Sequence, residues 1–586
     1  MLSRRQLLVG AAVAGVSGLV DRTCDVIVVG GGAAGLSAAL GVKRADPRAS
    51  VLVLEAQPLN GGTSIRSGGW LWIPNNADMR AAGLADPRDM ALRYMARLAH
   101  PASYDPDAPL LGLSPRHHAQ LSAYYDNGSD VLDWFRSTGA LPWDAVRGAG
   151  LPLTSDPLGL HGEFAPDYHP ELVENVPRRG RSVVPKRFDP THLTEDLQLG
   201  LPHSGSGLGG AYLVAWLTHA CVTRGVRFLT NHRVTDLVFS RGRVTGVSLN
   251  GTELSARRGV IFTSGGFSKN AARVAANFAG SRSLTGGGCA VTSAQGDLVH
   301  IAERHGFQLE SMDRAWFIQN LYEQYKIDPD SRVAPNYLFF QNYWSNGDSM
   351  FMVNRRGVRV VNEKTNYHDR TQVHFAPDNR FLVSVFDSHT LARFAGIGGH
   401  VTPLVNTFIG PASTVESLTS KILARFATDP ATAAFGLAPS FAASLAATLS
   451  RFNGFAVSGR DVDFHRGEQP IDLWWHAFCL TFQGVDAGPV RNCVSANSDY
   501  PNPTMRPLRP PYYAVILSSG LQDTNGGPAI DASGRILADD RPVPGLYGAG
   551  NCVASPAGHG YWGAGGTLGP AVVFGHVAGR HCASRS

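Results

Sequence analysis

The segment CDVIVVGGGAAGLSAALGVKRA, beginning at Cys24, constrains the fold more than any other. An apolar run of β-formers enters a glycine turn, a helix of small residues follows, and VLVLEA then supplies a second strand ending at Glu55. Gly30, Gly32 and Gly35 make the pattern G-x-G-x-x-G, with Ala33 and Ala34 inside it. The first glycine permits the tight turn, the second lets the backbone approach a pyrophosphate, and the third lets helix and strand pack closely. The opening turn of the helix offers unpaired N–H groups and positive potential to phosphates. Glu55, with Ala56 after it, stands where an acid meets ribose hydroxyls. The unit is a Rossmann-like βαβ fold for a dinucleotide.

A chain of 586 residues is too long for one core. With 44% hydrophobic and 17% charged residues it is globular rather than disordered. Leu208 to Arg224 reads as an apolar helix, VRFLTNHRVTDLVFSRGRVTGVSL as a β-meander, and RRGVIFTSGGF as a further buried strand ending in glycines. From about Gly296 to Ser495 the texture changes to aromatic-rich, with helices over Val415 to Phe426 and Ser440 to Phe452. From Tyr512 the strand–turn–helix style resumes. The expected architecture is α/β: a discontinuous Rossmann-like cofactor domain, residues 24–295 and 496–586, interrupted by an α+β substrate domain over 296–495.

The net charge of +5 is spread thinly with no dense basic tract, which argues against nucleic acid as a partner. The seven cysteines are scattered without a C-x-x-C pair, so no disulfide framework, structural metal, iron–sulfur cluster or c-type haem is expected. At the N-terminus, over residues 1–23, Arg4 and Arg5 precede an apolar run from Leu7 to Val20. The run is short for a membrane span, so we expect a twin-arginine signal that exports the protein to the periplasm or cell envelope, the alternative being a tail on a cytoplasmic protein, since no clean cleavage site follows it. No later segment reads as transmembrane, leaving peripheral membrane association at most.

Three further glycine clusters select the cofactor. GGTSIRSGGWLWIPNN begins at Gly61, Ser264-Gly265-Gly266 follows VIFT, and GLYGAGN begins at Gly545. Their order resembles that of glutathione-reductase-like and fumarate-reductase-like flavoproteins. The resemblance implies non-covalent FAD held by Gly62, Thr63, Ser64, Ser67, Gly68, Gly69, Val234, Ser264, Gly265, Gly550, Asn551, Thr567 and Leu568, besides the first unit.

The resemblance narrows on PDYHPE (from Pro166), GRS (Gly180), TSGGF (Thr263), QGD (Gln295), MDRAW (Met312), VNRRGVRVVNEKTNYHD (Val353), RFN (Arg451), DFHRG (Asp463) and GHGYWGAGGTLGPAVVFG (Gly558). Over essentially the whole chain these resemble the 3-ketosteroid dehydrogenase branch of the fumarate reductase flavoprotein superfamily. Removing two hydrogens beside a ketone needs a base for the α-proton, donors for the keto oxygen, and a hydride acceptor. The resemblance implies that Tyr367 is the base, Tyr168 its supporting tyrosine, and Tyr561 with the Gly565 N–H the keto-binding pair. It further implies a small apolar ketone, expected to be a steroid, and an external, quinone-like electron acceptor. Fumarate reductases carry arginine at the position of Tyr367, so tyrosine there favours ketone oxidation. The alternatives are a Δ4-(5α)-ketosteroid dehydrogenase or a fumarate-reductase-like enzyme on another ketone or enoate.

Other residues read more blandly. His559 is expected to order its turn, His117-His118 to lie on a solvated helix face, Asp461 and Asp463 to form a structural pair, and Tyr124 and Tyr125 to pack. Trp70, Trp72 and Trp316 are candidate pocket walls. Sequence from about Asp78 to Pro166 exceeds that of compact steroid dehydrogenases and is a candidate for an enlarged pocket, a lid or an assembly surface.

Overall fold

The computed structural model describes residues 22–146, 163–188, 209–279, 284–287, 290–327, 347–395, 408–477 and 499–584. The expected export signal lies outside them, apart from its last two residues. Among the described residues no helix is long and apolar enough to cross a membrane.

The first unit folds as its periodicity dictates: β1 (Thr23–Val29), α1 (Ala33–Ala45) and β2 (Val51–Leu54). The N-terminal part of the chain goes on through α2 (Arg88–Ala99), α3 (Pro115–Ser137), α4 (Gly209–Thr223), β3 (Arg227–Leu229), β4 (Asp236–Ser240), β5 (Arg243–Leu249) and β6 (Thr252–Phe262). The middle contributes β7 (Ala315–Leu321), β8 (Met350–Val353), α5 (Tyr367–Gln372), β9 (Phe381–Asp387), β10 (Ile409–Ala412), α6 (Val415–Ala427), α7 (Phe441–Ser458) and α8 (Pro470–Ala477). The chain closes with β11 (Tyr512–Thr524), β12 (Arg535–Ala538), β13 (Arg541–Gly548) and α9 (Leu568–Ser584).

An 8-stranded sheet runs in the order β12-β13-β6-β1-β2-β3, with β4 and β5 leaving β6 as an antiparallel extension. From β13 to β3 its neighbours are parallel, with Val26 opposite Val51 and Leu546 opposite Val260. Parallel strands are buried on both faces, which is why they read as unbroken apolar runs. Only the later part of the expected meander is antiparallel. Arg227–Leu229 pairs parallel with β2 as the sheet's edge, a long-range pairing that strand-by-strand alternation does not reveal.

The 5-stranded second sheet is antiparallel, in the order β7-β11-β9-β8 with β10 also on β11. The expected return to the cofactor domain at residue 496 precedes β11, which is a strand of this second sheet. α6 and α7 cover it through an apolar cluster that includes Phe351, Ile422 and Phe452.

α9 lies along α1 at very short range because both helices present small residues. A Cβ on Gly41 would stand 2.2 Å from the His576 carbonyl oxygen, and one on Gly579 would stand 2.1 Å from that of Ala38. The described part of the extra sequence builds support rather than a lid. From α2, Tyr94 donates its hydroxyl to the Trp562 carbonyl at 2.6 Å; from α3, Tyr124 stacks on Trp72 and Trp562.

Candidate active site

A single cleft of about 1780 Å³, counted to its open mouth, runs from the glycine turn of β1–α1 to the aromatic side chains of the second sheet. It is lined by every residue expected from sequence to hold cofactor or substrate except Gly35 and the candidate wall residue Trp72. Gly35 acts behind the wall: a Cβ there would sit 1.9 Å from the Gly30 carbonyl oxygen, so the residue sets how closely α1 meets β1.

The glycine end is made of backbone. Gly30 has φ +110°, and a Cβ on it would stand 2.5 Å from the Thr263 carbonyl oxygen. The N-cap of α1 is Gly32, which has no side-chain acceptor, so the first turn opens onto the cleft; the Ala33 N–H meets Ser64 Oγ at 3.2 Å. Such a turn suits a pyrophosphate. Glu55 Oε2 accepts the Gly31 N–H and Oε1 the Gln57 N–H, both at 2.8 Å, which fixes the carboxylate beside the cleft. This set of donors, one acid and a cradle without side chains fits a dinucleotide such as FAD, with Gly30, Gly32 and Glu55 at its nucleotide end. Asp523, which gave no sequence signal, supports this end: it accepts the Gly266 N–H at 3.2 Å, the Ser268 hydroxyl at 2.8 Å and the Asn551 amide at 3.2 Å.

The aromatic end is made of side chains. Tyr367 is the first residue of α5, which Asn366 caps by accepting the Asp369 N–H at 3.0 Å. The segment before it is anchored by a buried charge network. Glu363 takes Arg359 at 3.0 and 2.9 Å, Arg466 at 3.1 Å and the Met352 N–H at 3.0 Å; Arg359 continues to Asp461 at 2.9 Å. Burial alone would raise the Glu363 carboxyl, but Arg359 and Arg466 outweigh it and hold it at about 2. The VNRRGVRVVNEK and DFHRG motifs are thereby explained. Asp461 and Asp463 touch, the Asp463 N–H donating to Asp461 Oδ1 at 3.1 Å, but their carboxylates part: that of Asp461 belongs to this network and that of Asp463 binds Arg451 at the surface.

Tyr168 is held in the same style. Asp167, beside it, accepts the Trp72 indole N–H at 2.7 Å and pairs with Arg181, which also forks onto Asp86. The Tyr168 N–H donates to the Trp562 carbonyl at 3.2 Å, and the Ser182 hydroxyl to that of Ala564 at 2.7 Å. The PDYHPE and GRS motifs therefore stitch Tyr168 to the loop carrying Tyr561.

The three tyrosines converge. The Tyr367 and Tyr561 hydroxyls are hydrogen bonded to each other, and the Tyr168 ring lies edge-on to both, with centroids 5.8 and 5.1 Å away. The Tyr168 hydroxyl is buried with no hydrogen-bond partner among the described residues. Burial pushes the hydroxyls of Tyr168 and Tyr367 well above the ordinary tyrosine value. Gly565 has φ +96°, with its Cβ position 2.6 Å from the Leu71 backbone, and its N–H donates to no described residue. Trp70 and Trp316 line the cleft, joined by Ile318, Trp475 and Gln522, which sequence reasoning missed. Trp72 does not; it is fully buried behind the wall.

His559 offers its carbonyl to His368 Nε2 at 3.3 Å. His117 is not on a solvated face: its ring stacks on His100 at 4.4 Å and stands 3.6 Å from Glu310, in a separate polar cleft. Helical periodicity marks a face but not what packs on it.

The chain matches the family model for an FAD binding domain over residues 25–568. It is 30% identical to 4-oxocyclohexanecarboxylate 2-dehydrogenase of Sinomonas cyclohexanicum, over 96% of this chain and 93% of that one. It is 29% identical to 3-oxosteroid 1-dehydrogenase of Mycolicibacterium smegmatis, over 94% and 96%. A solved 3-ketosteroid delta1-dehydrogenase from Sterolibacterium denitrificans, in complex with 1,4-androstadiene-3,17-dione, superposes with a TM-score of 0.74 at 25% identity, covering 96% of this chain and 100% of that one.

Proposed function

From the premise that this chain belongs to the FAD-binding-domain family, in its 3-ketosteroid dehydrogenase branch, and is an FAD-dependent oxidoreductase acting on CH–CH groups, we propose that it introduces a double bond beside the keto group of a 3-ketosteroid. The observation that carries the reading is the meeting of three buried tyrosines and the Gly565 N–H at one end of the cleft.

Tyr561 and the Gly565 N–H bind the keto oxygen and stabilise the charge that grows there as the α-proton leaves. Tyr367 takes that proton, and Tyr168 confines it on the opposite side. FAD, bound along the glycine end, supplies the acceptor for the hydride from the neighbouring carbon. Trp70, Trp316, Ile318 and Trp475 exclude water and offer flat apolar faces to a fused-ring substrate.

A second reading follows from the 30% identical relative: a single-ring keto acid. A carboxylate needs a cation, and the arginine on the described cleft wall, Arg66, donates to the Ala290 carbonyl at 3.3 Å. The aromatic end favours the neutral ketone. The test is anaerobic bleaching of the holoenzyme's yellow colour by 4-androstene-3,17-dione, 4-oxocyclohexanecarboxylate and succinate offered separately. Bleaching by the steroid alone is expected; bleaching by the keto acid alone transfers the activity to the second reading. Tyr561→Phe should lose roughly 2.7–4 kcal/mol of transition-state stabilisation in steroid kcat/KM.

The twin-arginine segment supports export of the folded holoenzyme. Fusing residues 1–21 to a folded reporter should move it out of the cytoplasm, and Arg4→Lys with Arg5→Lys should keep it in.

A further inference from the structure

β11 contains a β-bulge at the site. On β7, Trp316 pairs with Asp523 and the next residue, Phe317, pairs with Leu521, so Gln522 has no partner in the ladder. A bulge of this kind re-aims a side chain, and such bulges gather beside active sites. Here it puts one carboxamide on the wall of the cleft among Trp70, Trp316, Ile318 and Trp475. The Tyr561 hydroxyl donates to Gln522 Oε1 over a long 3.5 Å. A hydroxyl has one proton. Either tyrosine can donate in the short contact between them; a Tyr561 proton directed at Gln522 makes Tyr367 the donor, and that is the arrangement proposed here.

We propose that Gln522 is a positioning residue that orients a neutral proton relay, with every proton pointing from Tyr367 through Tyr561 toward the place of the keto oxygen. The proposal rests on the ketone-dehydrogenase reading. When the ketone enters, its oxygen joins Gln522 as an acceptor of the Tyr561 proton, and Gln522 keeps that proton turned toward the keto oxygen. The α C–H bond then breaks as a new O–H bond forms on Tyr367. The former Tyr367 proton passes to Tyr561, and the former Tyr561 proton passes to the keto oxygen. The electron pair of the C–H bond becomes the C=C bond of the enol, and both tyrosines end as neutral as they began.

The surroundings favour this route over an ionised base. Ionising even a free tyrosine at pH 7 costs about 4 kcal/mol. The titratable groups around the pair are Tyr168 across the cleft, His368 and Asp369 on α5, His169 beside Tyr168, and Asp523 beside Gln522. His368 is fixed neutral: its Nδ1 accepts the Phe317 N–H at 3.2 Å, so its Nε2 donates to His559. His169 stands 3.3 Å from both Glu171 and Asp369, so its charge is committed to carboxylates. Asp369 opposes charge on Tyr168, and Tyr168 in turn opposes it on Tyr367.

The test uses dithionite-reduced holoenzyme and 4-androstene-3,17-dione in deuterium oxide, reading deuterium uptake at the carbon that would be desaturated beside the keto group. The wild type should exchange at a rate that stays within about twofold from about pH 6 to about pH 9, whereas a tyrosinate base gives a rise of about tenfold per pH unit below its pKa. Gln522→Met keeps the shape and removes the acceptor; exchange should fall about tenfold or more with flavin content and KM unchanged. Gln522→Glu keeps an acceptor and should retain most of the rate. A packing role predicts the opposite order, with Met tolerated and a buried charge harmful. Exchange that climbs tenfold per pH unit, a Met variant as fast as wild type, or a Glu variant no faster than Met overturns the relay. A wild type that turns over the keto acid but neither bleaches nor exchanges with the steroid overturns the substrate reading instead, and the same variants are then read on the keto acid.

Discussion

At the glycine end of the cleft the wall is backbone, given by neighbouring residues of β1, α1 and the turn after β2. At the aromatic end it is side chains, each brought from a different stretch of chain and each held by buried charges: Arg181 between Asp86 and Asp167 for Tyr168, Arg359 and Arg466 on Glu363 for Tyr367. A backbone wall tolerates little variety because nearly any side chain would fill the space the cofactor needs. A side-chain wall keeps its shape only while distant anchors stay paired. Damage at one end should therefore leave the other end readable.

The largest effect expected from this contrast is at the aromatic end. Tyr367→Phe keeps the ring and should lose about 10²- to 10⁴-fold in kcat, while bound FAD, read from the visible spectrum, is unchanged. Loss of flavin together with rate would erase the distinction between the ends. Glu363→Gln comes next. It leaves Arg466 without its carboxylate and Arg359 with Asp461 alone, and should cost about 3–5 kcal/mol, read from denaturant unfolding. Its pH arm has a definite sign. The carboxyl sits at about 2 against an ordinary 4.5, so its contribution is complete above pH 4.5 and is lost as pH falls toward 2. The wild type should lose stability through that window more steeply than the variant.

Gly35→Ala probes the other end. With no room between α1 and β1, it should destabilise by about 1–3 kcal/mol and weaken FAD retention on gel filtration, with the Tyr367–Tyr561 contact intact in whatever enzyme keeps its flavin. The smallest effect belongs to Tyr125→Phe. Its hydroxyl donates only to the Asp86 carbonyl, at 2.6 Å, so about 0.5–1.5 kcal/mol of stability should go with no change in turnover.

The same contrast decides what could be read from sequence. The G-x-G-x-x-G turn, Glu55 and the later glycine clusters are local patterns whose spacing is the geometry, so nearly the whole glycine end was legible. Tyr367, Tyr168 and Tyr561 stood out through their motifs. Trp475 and Gln522 did not: Trp475 lies on α8 with nothing in its helical pattern to mark a cleft wall, and Gln522 enters only through a bulge, which is a property of two paired strands. The edge position of Arg227–Leu229 and the stacking of His117 on His100 were hidden for the same reason, since both depend on partners far away in the chain.

The close seat of α9 on α1 has a consequence for how the protein comes into being. α9 is made more than 500 residues after α1. At roughly 5–20 residues per second, half a minute to nearly two minutes separate them during synthesis. Throughout that interval the small-residue face of α1 and the free side of β6 are uncovered, because α9 and β13 do not yet exist. The nascent chain thus carries an unfinished cofactor domain until α9 is made. Losing the seventeen residues of α9 should act as an early and general folding defect, felt first at β1 and α1.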